Sequence, residues 1–149
     1  MPFPHGKILC PIDFDSNSTD AIAHGAAIAV NFGGALYLMH VVQMNPLTAQ
    51  GAAQGFAGKD LYDAQVKYAR TRLEHYVQRM PAAVRRELIG EIGELGILIV
   101  ASQQWLRAEL AVMGAHGRRR LKHIVLSSAA ERIVHASTAP VLMMRAAGG

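Results

Sequence analysis

The sequence predicts an α/β protein built on a single doubly wound parallel sheet. Short apolar runs alternate along the chain with stretches that carry helical spacing. The run at Ala35–Val42 is apolar nearly throughout, as expected of a strand covered on both faces. Glycine, serine and proline stand at the joins between these segments. Of 149 residues, 51% are hydrophobic and 17% charged, which suits one domain over residues 1–149 with a substantial core.

Residues 7–12 (KILCPI) are a short apolar run closed by Asp13 and predict the first strand. The stretch 15–19 (DSNST) is rich in turn and cap formers, and Asp20 is placed to meet the positive end of a helix dipole. A helix over 21–32 follows, with Ile22, Ala26, Ala29 and Val30 on one inward face, and Gly33 and Gly34 end it. Ala35–Val42 (ALYLMHVV) is the second strand. Residues 43–58, loaded with glycine, alanine and glutamine, predict a loop. Helical spacing returns over 59–79, with Tyr62, Val66, Ala69, Leu73 and Tyr76 as its inward stripe, before Pro81.

Arg85–Ile92 predicts the third strand and Leu95–Leu106 the third helix, in which Trp105 is expected to pack. Residues 109–113 form a fourth strand that delivers the chain into Gly114. A basic, glycine-marked loop over 114–123 precedes a last helix over 124–136, with Val125, Ala129, Ile133 and Ala136 aligned. Pro140 opens the final strand, Val141–Met144, and a short tail follows. The strand–helix alternation implies right-handed crossovers. Ligands in such folds bind beyond the carboxyl ends of the strands, where Asp13, His40 to Val42 and Gly114 stand.

Several function classes are excluded or disfavoured at this level. No stretch approaches the roughly 20 apolar residues of a membrane span, and residues 1–7 do not have the pattern of a cleaved signal peptide. The single cysteine, Cys10, allows no intrachain disulfide and fits a reducing, cytoplasmic setting as a small buried hydrophobe. A net charge of +4 favours anionic ligands without indicating nucleic acid. The run at 118–122 holds Arg118, Arg119, Arg120 and Lys122 but no aromatic residue to stack a base. It reads either as a solvated loop or as a phosphate contact. The histidines, His116 and His123 included, lack acidic or cysteine partners at ligand spacing, so no metal site is predicted. Neither a P-loop nor a nucleophile elbow occurs, and no set of residues predicts an enzyme.

The chemistry concentrates after the fourth strand. Gly114 and Gly117 flank Ala115 and His116, and glycines there let backbone N–H groups approach an anion closely. The following helix start offers more donors and a favourable dipole, and Ser127 and Ser128 add hydroxyls. The stretch VMGAHGRRRLKHIVLSSAAERIVHASTAPVLMM resembles the C-terminal signature of the universal stress protein family. The opening KILCPIDFDSNSTDAIAHGAAIAVNFGGALYLMHVV resembles that family's first strand, helix and second strand. The resemblance covers nearly the whole chain and is weakest over 43–83.

The resemblance implies a sheet order of 3-2-1-4-5, with helices on both faces. Nucleotide-binding members carry Gly-x2-Gly-x9-Gly-(Ser/Thr), which Gly114, Gly117 and Ser128 match while Ser127 replaces the third glycine. The Ser-Ser-Ala ending resembles the type-A branch, which does not retain ATP, whereas the retained Gly117 resembles the ATP-binding branch. By the same resemblance Asp13 and the backbone at Val41 would line the adenosine side of the pocket. His116 and Arg118 are further candidates for phosphate contact. The implied ligand is ATP or AMP, with Mg as a possible companion ion near Asp13. The alternatives are a nucleotide-free dimeric interaction protein and a slow ATP hydrolase. The implied partner is a second copy, joined through the apolar edge strand Val141–Met144, with neither membrane nor nucleic acid expected.

Overall fold

The computed structural model describes residues 6–12, 16–42, 56–80, 85–92, 95–114 and 128–144. Strands β1 (Lys7–Pro11), β2 (Ala35–Val42), β3 (Arg85–Ile92), β4 (Leu110–Gly114) and β5 (Val141–Met144) form one sheet, in the order β3-β2-β1-β4-β5. All neighbouring pairs are parallel. Parallel neighbours require crossovers, and the helices in them are α1 (Ser16–Phe32), α2 (Phe56–Gln78), α3 (Leu95–Leu106) and α4 (Ser128–Ala136).

The strands sort their side chains to two faces by the two-residue period. Ile8, Cys10, Leu36, Leu38, Leu110 and Val112 pack with Ile22, Ala26 and Ala29 of α1 and Leu73 of α2. Leu9, Tyr37, Met39, Val41 and Met113 pack on the opposite face with Ile99 and Leu106 of α3 and Ala130 and Ile133 of α4. Helices therefore cover both faces, and each fully buried Leu or Ile contributes about 1.5–3 kcal/mol. At Gly25 of α1, an added Cβ would lie 2.9 Å from Leu36 Cδ1, so the helix approaches the sheet closely there.

Helix ends are closed by backbone geometry. The Gly34 amide donates to Ala29 O at 2.9 Å while Gly33 adopts φ 70°, a Schellman cap on α1. Gly34 then meets β1 so closely that an added Cβ would stand 2.8 Å from Gly6 O. Helix α3 ends in the same motif without glycine. Ala108 N–H donates to Gln103 O at 2.9 Å, Arg107 N–H donates to Gln104 O at 3.1 Å, and Arg107 itself takes φ 55°.

Several element boundaries and faces differ from the sequence-based expectation. Helix α1 begins at Ser16 and takes in the serines and threonine expected to cap it. Such residues carry little penalty in a first turn, whose amides have no intrahelical partner to lose. Val30 is 49% exposed rather than inward, and Ala29 takes the buried position. Helix α2 starts at Phe56, inside the stretch read as loop, and β4 spans Leu110–Gly114. In α4 the buried residues are Ala130 and Ile133, and Ala136 is exposed. Val125 lies outside the described residues, as does the segment 124–127 expected to open that helix. Trp105 does not pack: it is 81% exposed on the outer side of α3.

Candidate functional site

Strands β1 and β4 are neighbours, yet the helices that follow them go to opposite faces of the sheet. Helix α1 follows β1 onto the face of Ile8 and Cys10, and α4 follows β4 onto the face of Leu9 and Met113. This divergence makes β1 and β4 the topological switch point of the sheet, the place at whose carboxyl ends doubly wound sheets bind ligands.

Three of the expected site residues can be placed at this end of the sheet. Gly114 is the last residue of β4, half-buried and paired with Met144. Ser128 is the first described residue of α4, the helix of the connection that leaves Gly114. Val41 is buried, with its side chain in the core beneath α3 and α4. Its backbone is the relevant part. Ile12 N–H donates to Met39 O at 2.8 Å, so the ladder period turns the Val41 carbonyl toward the space beyond β1. Asp13, His116, Gly117, Arg118 and Ser127 lie outside the described residues, as do Arg119, Arg120, Lys122 and His123.

His40 locks the ends of β1 and β2 together. Its Nδ1 lies 2.9 Å from Ile12 O. A carbonyl only accepts, so Nδ1 carries a proton and donates it to that bond. His40 is thus a strand-end anchor, which fixes the rim on which Val41 sits. Cys10 lies deeper, fully buried beneath α1, and burial pushes its thiol up to about 12. A thiol so protonated is no nucleophile.

A polar anchor that periodicity gave no sign of lies behind α4. Gln103 of α3 is almost fully buried, and its amide stands 2.7 Å from Ser137 Oγ. Ser137 Oγ is also 2.7 Å from Ala139 O. One hydroxyl proton cannot serve both acceptors. The amide orientation that satisfies both turns Gln103 Nε2 toward Ser137 as donor while Ser137 donates to Ala139 O. This link holds the turn between α4 and β5 against α3. A glutamine in a helix reads as surface in sequence, and only the fold reveals its burial.

Among the described residues no group of three or more His, Cys, Asp or Glu side chains is placed to hold a metal ion. No helix among them is long and apolar enough to cross a membrane.

A five-stranded parallel sheet with helices on both faces and a switch point between β1 and β4 defines a doubly wound α/β class of protein. The universal stress protein family model matches residues 4–145, and the chain belongs to that family. A universal stress protein of Methanocaldococcus jannaschii is 27% identical over 93% of this chain and 81% of its own length. The universal stress protein A homolog 1 of Coxiella burnetii is 27% identical over 95% of this chain and 96% of its own. Among solved structures, the MJ0577 protein of M. jannaschii superposes with a TM-score of 0.84 at 23% identity, covering 97% of this chain and 99% of that one. UspA of Lactobacillus plantarum superposes with a TM-score of 0.73 at 20% identity, over 95% and 98% of the two chains. At these identities the structural likeness establishes the fold.

Proposed function

We propose that this chain is a cytoplasmic, homodimeric regulatory protein of the stress response that binds an adenine nucleotide, ATP or AMP, and is not an enzyme. The observation that supports this reading is the β1/β4 switch point, with Gly114 the last residue of β4 and Ser128 in the helix that follows it. On this reading the amides of Gly114, Gly117, Ser127 and Ser128 receive the phosphates, and His116 and Arg118 add positive charge. Adenosine lies against Asp13 and the Val41 backbone, and Asp13 is the residue that would hold Mg. The nucleotide supplies the anionic phosphates that these donors recognise.

A second reading keeps the fold and the dimer and leaves the pocket without nucleotide. Ser127 favours it, because a side chain at a position built for glycine is strained if the backbone there needs a positive φ. Calorimetric titration with ATP and AMP separates the two. The unmodified protein should bind saturably, and Gly117→Val should abolish binding while circular dichroism stays unchanged. ATP affinity equal in both proteins would refute the assignment of the phosphate loop.

A further inference from the structure

A cavity lies away from the strand ends, between α1 and α2. Helix α1 stands chiefly over β4 and β1, and α2 over β3 and β2, so the two helices share a sheet face with a groove between them. The groove measures about 510 Å³, within the range of roughly 300–1,000 Å³ typical of small-molecule sites. Its depth follows from sequence: α1 presents alanines, Ala26 and Ala27 among them, where a larger residue would close the gap. Ile22, Ala26 and Met80 form an apolar floor, and Val30 stands at the lip, half-exposed. From Ile22 to Val30 the helix rises about 12 Å, which sets the length available to an extended occupant.

The polar lining defines the occupant. Arg79 is the one charged residue among the described residues that line the groove. It is exposed, and its guanidinium makes no ion pair among the described residues. A single planar fork on the lining of a largely apolar trough matches a single carboxylate on an aliphatic chain. We infer that the α1/α2 groove is a binding site for a free medium-chain monocarboxylate, its chain along Ile22, Ala26 and Val30 and its carboxylate on Arg79. The groove shares none of the residues assigned to the nucleotide, so this site stands whether or not nucleotide binds.

Calorimetric titration of the intact protein with decanoate, kept below its micellar concentration, tests the assignment. Decanoate should bind saturably at one site per chain, and decanol, which has the same chain without the charge, should bind more weakly. Arg79→Gln should weaken decanoate roughly two- to fivefold, as expected for an exposed ion pair, and leave decanol unchanged. Ala27→Phe, at an exposed helix position, should fill the groove and remove binding of both. Val30→Glu at the lip is the alternative if that variant loses helix content by circular dichroism, and it should weaken decanoate more than decanol. No saturable decanoate binding overturns the proposal, as does binding indifferent to the groove variant. Equal decanoate affinity before and after Arg79→Gln overturns it too.

Discussion

Arg107 and Gly34 are mirror cases of backbone and side chain in conflict. Arg107 holds a left-handed conformation at the end of α3 although it has a Cβ, which costs about 1–2 kcal/mol. Arg107→Gly removes that cost and adds roughly 0.5–1 kcal/mol of unfolded-chain entropy, so it should stabilise the protein by up to about 1 kcal/mol in chemical denaturation. Gly34→Ala should do the opposite, by roughly 1–3 kcal/mol, because its Cβ would press on the Gly6 carbonyl, which as backbone cannot turn aside. An unchanged midpoint for either variant would contradict these readings. Cys10 gives a pH-dependent test. Its thiol ionises near 9.0 when unfolded but only near 12 when folded, so above pH 9 the unfolded chain releases a proton that the native one retains. The Cys10 contribution is complete below pH 9 and falls by up to about 1.4 kcal/mol per pH unit above it. Denaturation curves of the unmodified protein and of Cys10→Ala should therefore converge as pH rises from about 8 to about 11. Parallel pH profiles would show the thiol to be less buried than the structure has it.

At the scale of elements, β5 is the strand through which the proposed dimer would join. Among the described residues it pairs only with β4, and Leu142 is 38% exposed although the strands of the sheet interior are buried. The direction of its ladder follows from one bond: Ala111 N–H donates to Pro140 O at 3.0 Å. By the two-residue period the Leu142 amide faces β4, and the Met143 amide faces outward from the sheet. If two copies join antiparallel along this edge, Met143→Pro should remove an outward donor and yield monomer, whereas Leu142→Pro should damage the β4–β5 pairing itself. Leu142→Glu, which leaves the backbone intact, should also yield monomer by like-charge repulsion. Sedimentation velocity reads each outcome, and a dimer that survives both Met143→Pro and Leu142→Glu would exclude this edge. The elements themselves were largely legible. Apolar runs marked β2 and β5 to the residue, β3 was marked equally well despite its charges, and Gly33 marked the end of α1 through the conformation that only glycine adopts cheaply. The starts of α1 and α2 were not legible, because Ser16 to Thr19 serve equally as cap or first turn and Phe56 lies in a stretch whose composition reads as loop. Trp105 misled because spacing alone does not say which side of α3 a neighbour covers.

The whole molecule is a sheet with two faces and one switch point, and the two readings of function occupy different parts of it. The switch point at β1 and β4 could be anticipated from the strand–helix alternation. The α1/α2 groove could not, since it arises from the spacing of two helices distant in sequence and from alanines that read as ordinary helix formers. Of the proposed nucleotide site, Gly114 and Val41 lie at described strand ends and Ser128 in the described part of α4. What binds there is a question for the intact protein in solution. Native mass spectrometry of the purified chain, alone and with ATP added, reads subunit number and bound nucleotide together. The account predicts the mass of a dimer carrying one adenine nucleotide per chain. A stable monomer at micromolar concentration that takes up no nucleotide would contradict it.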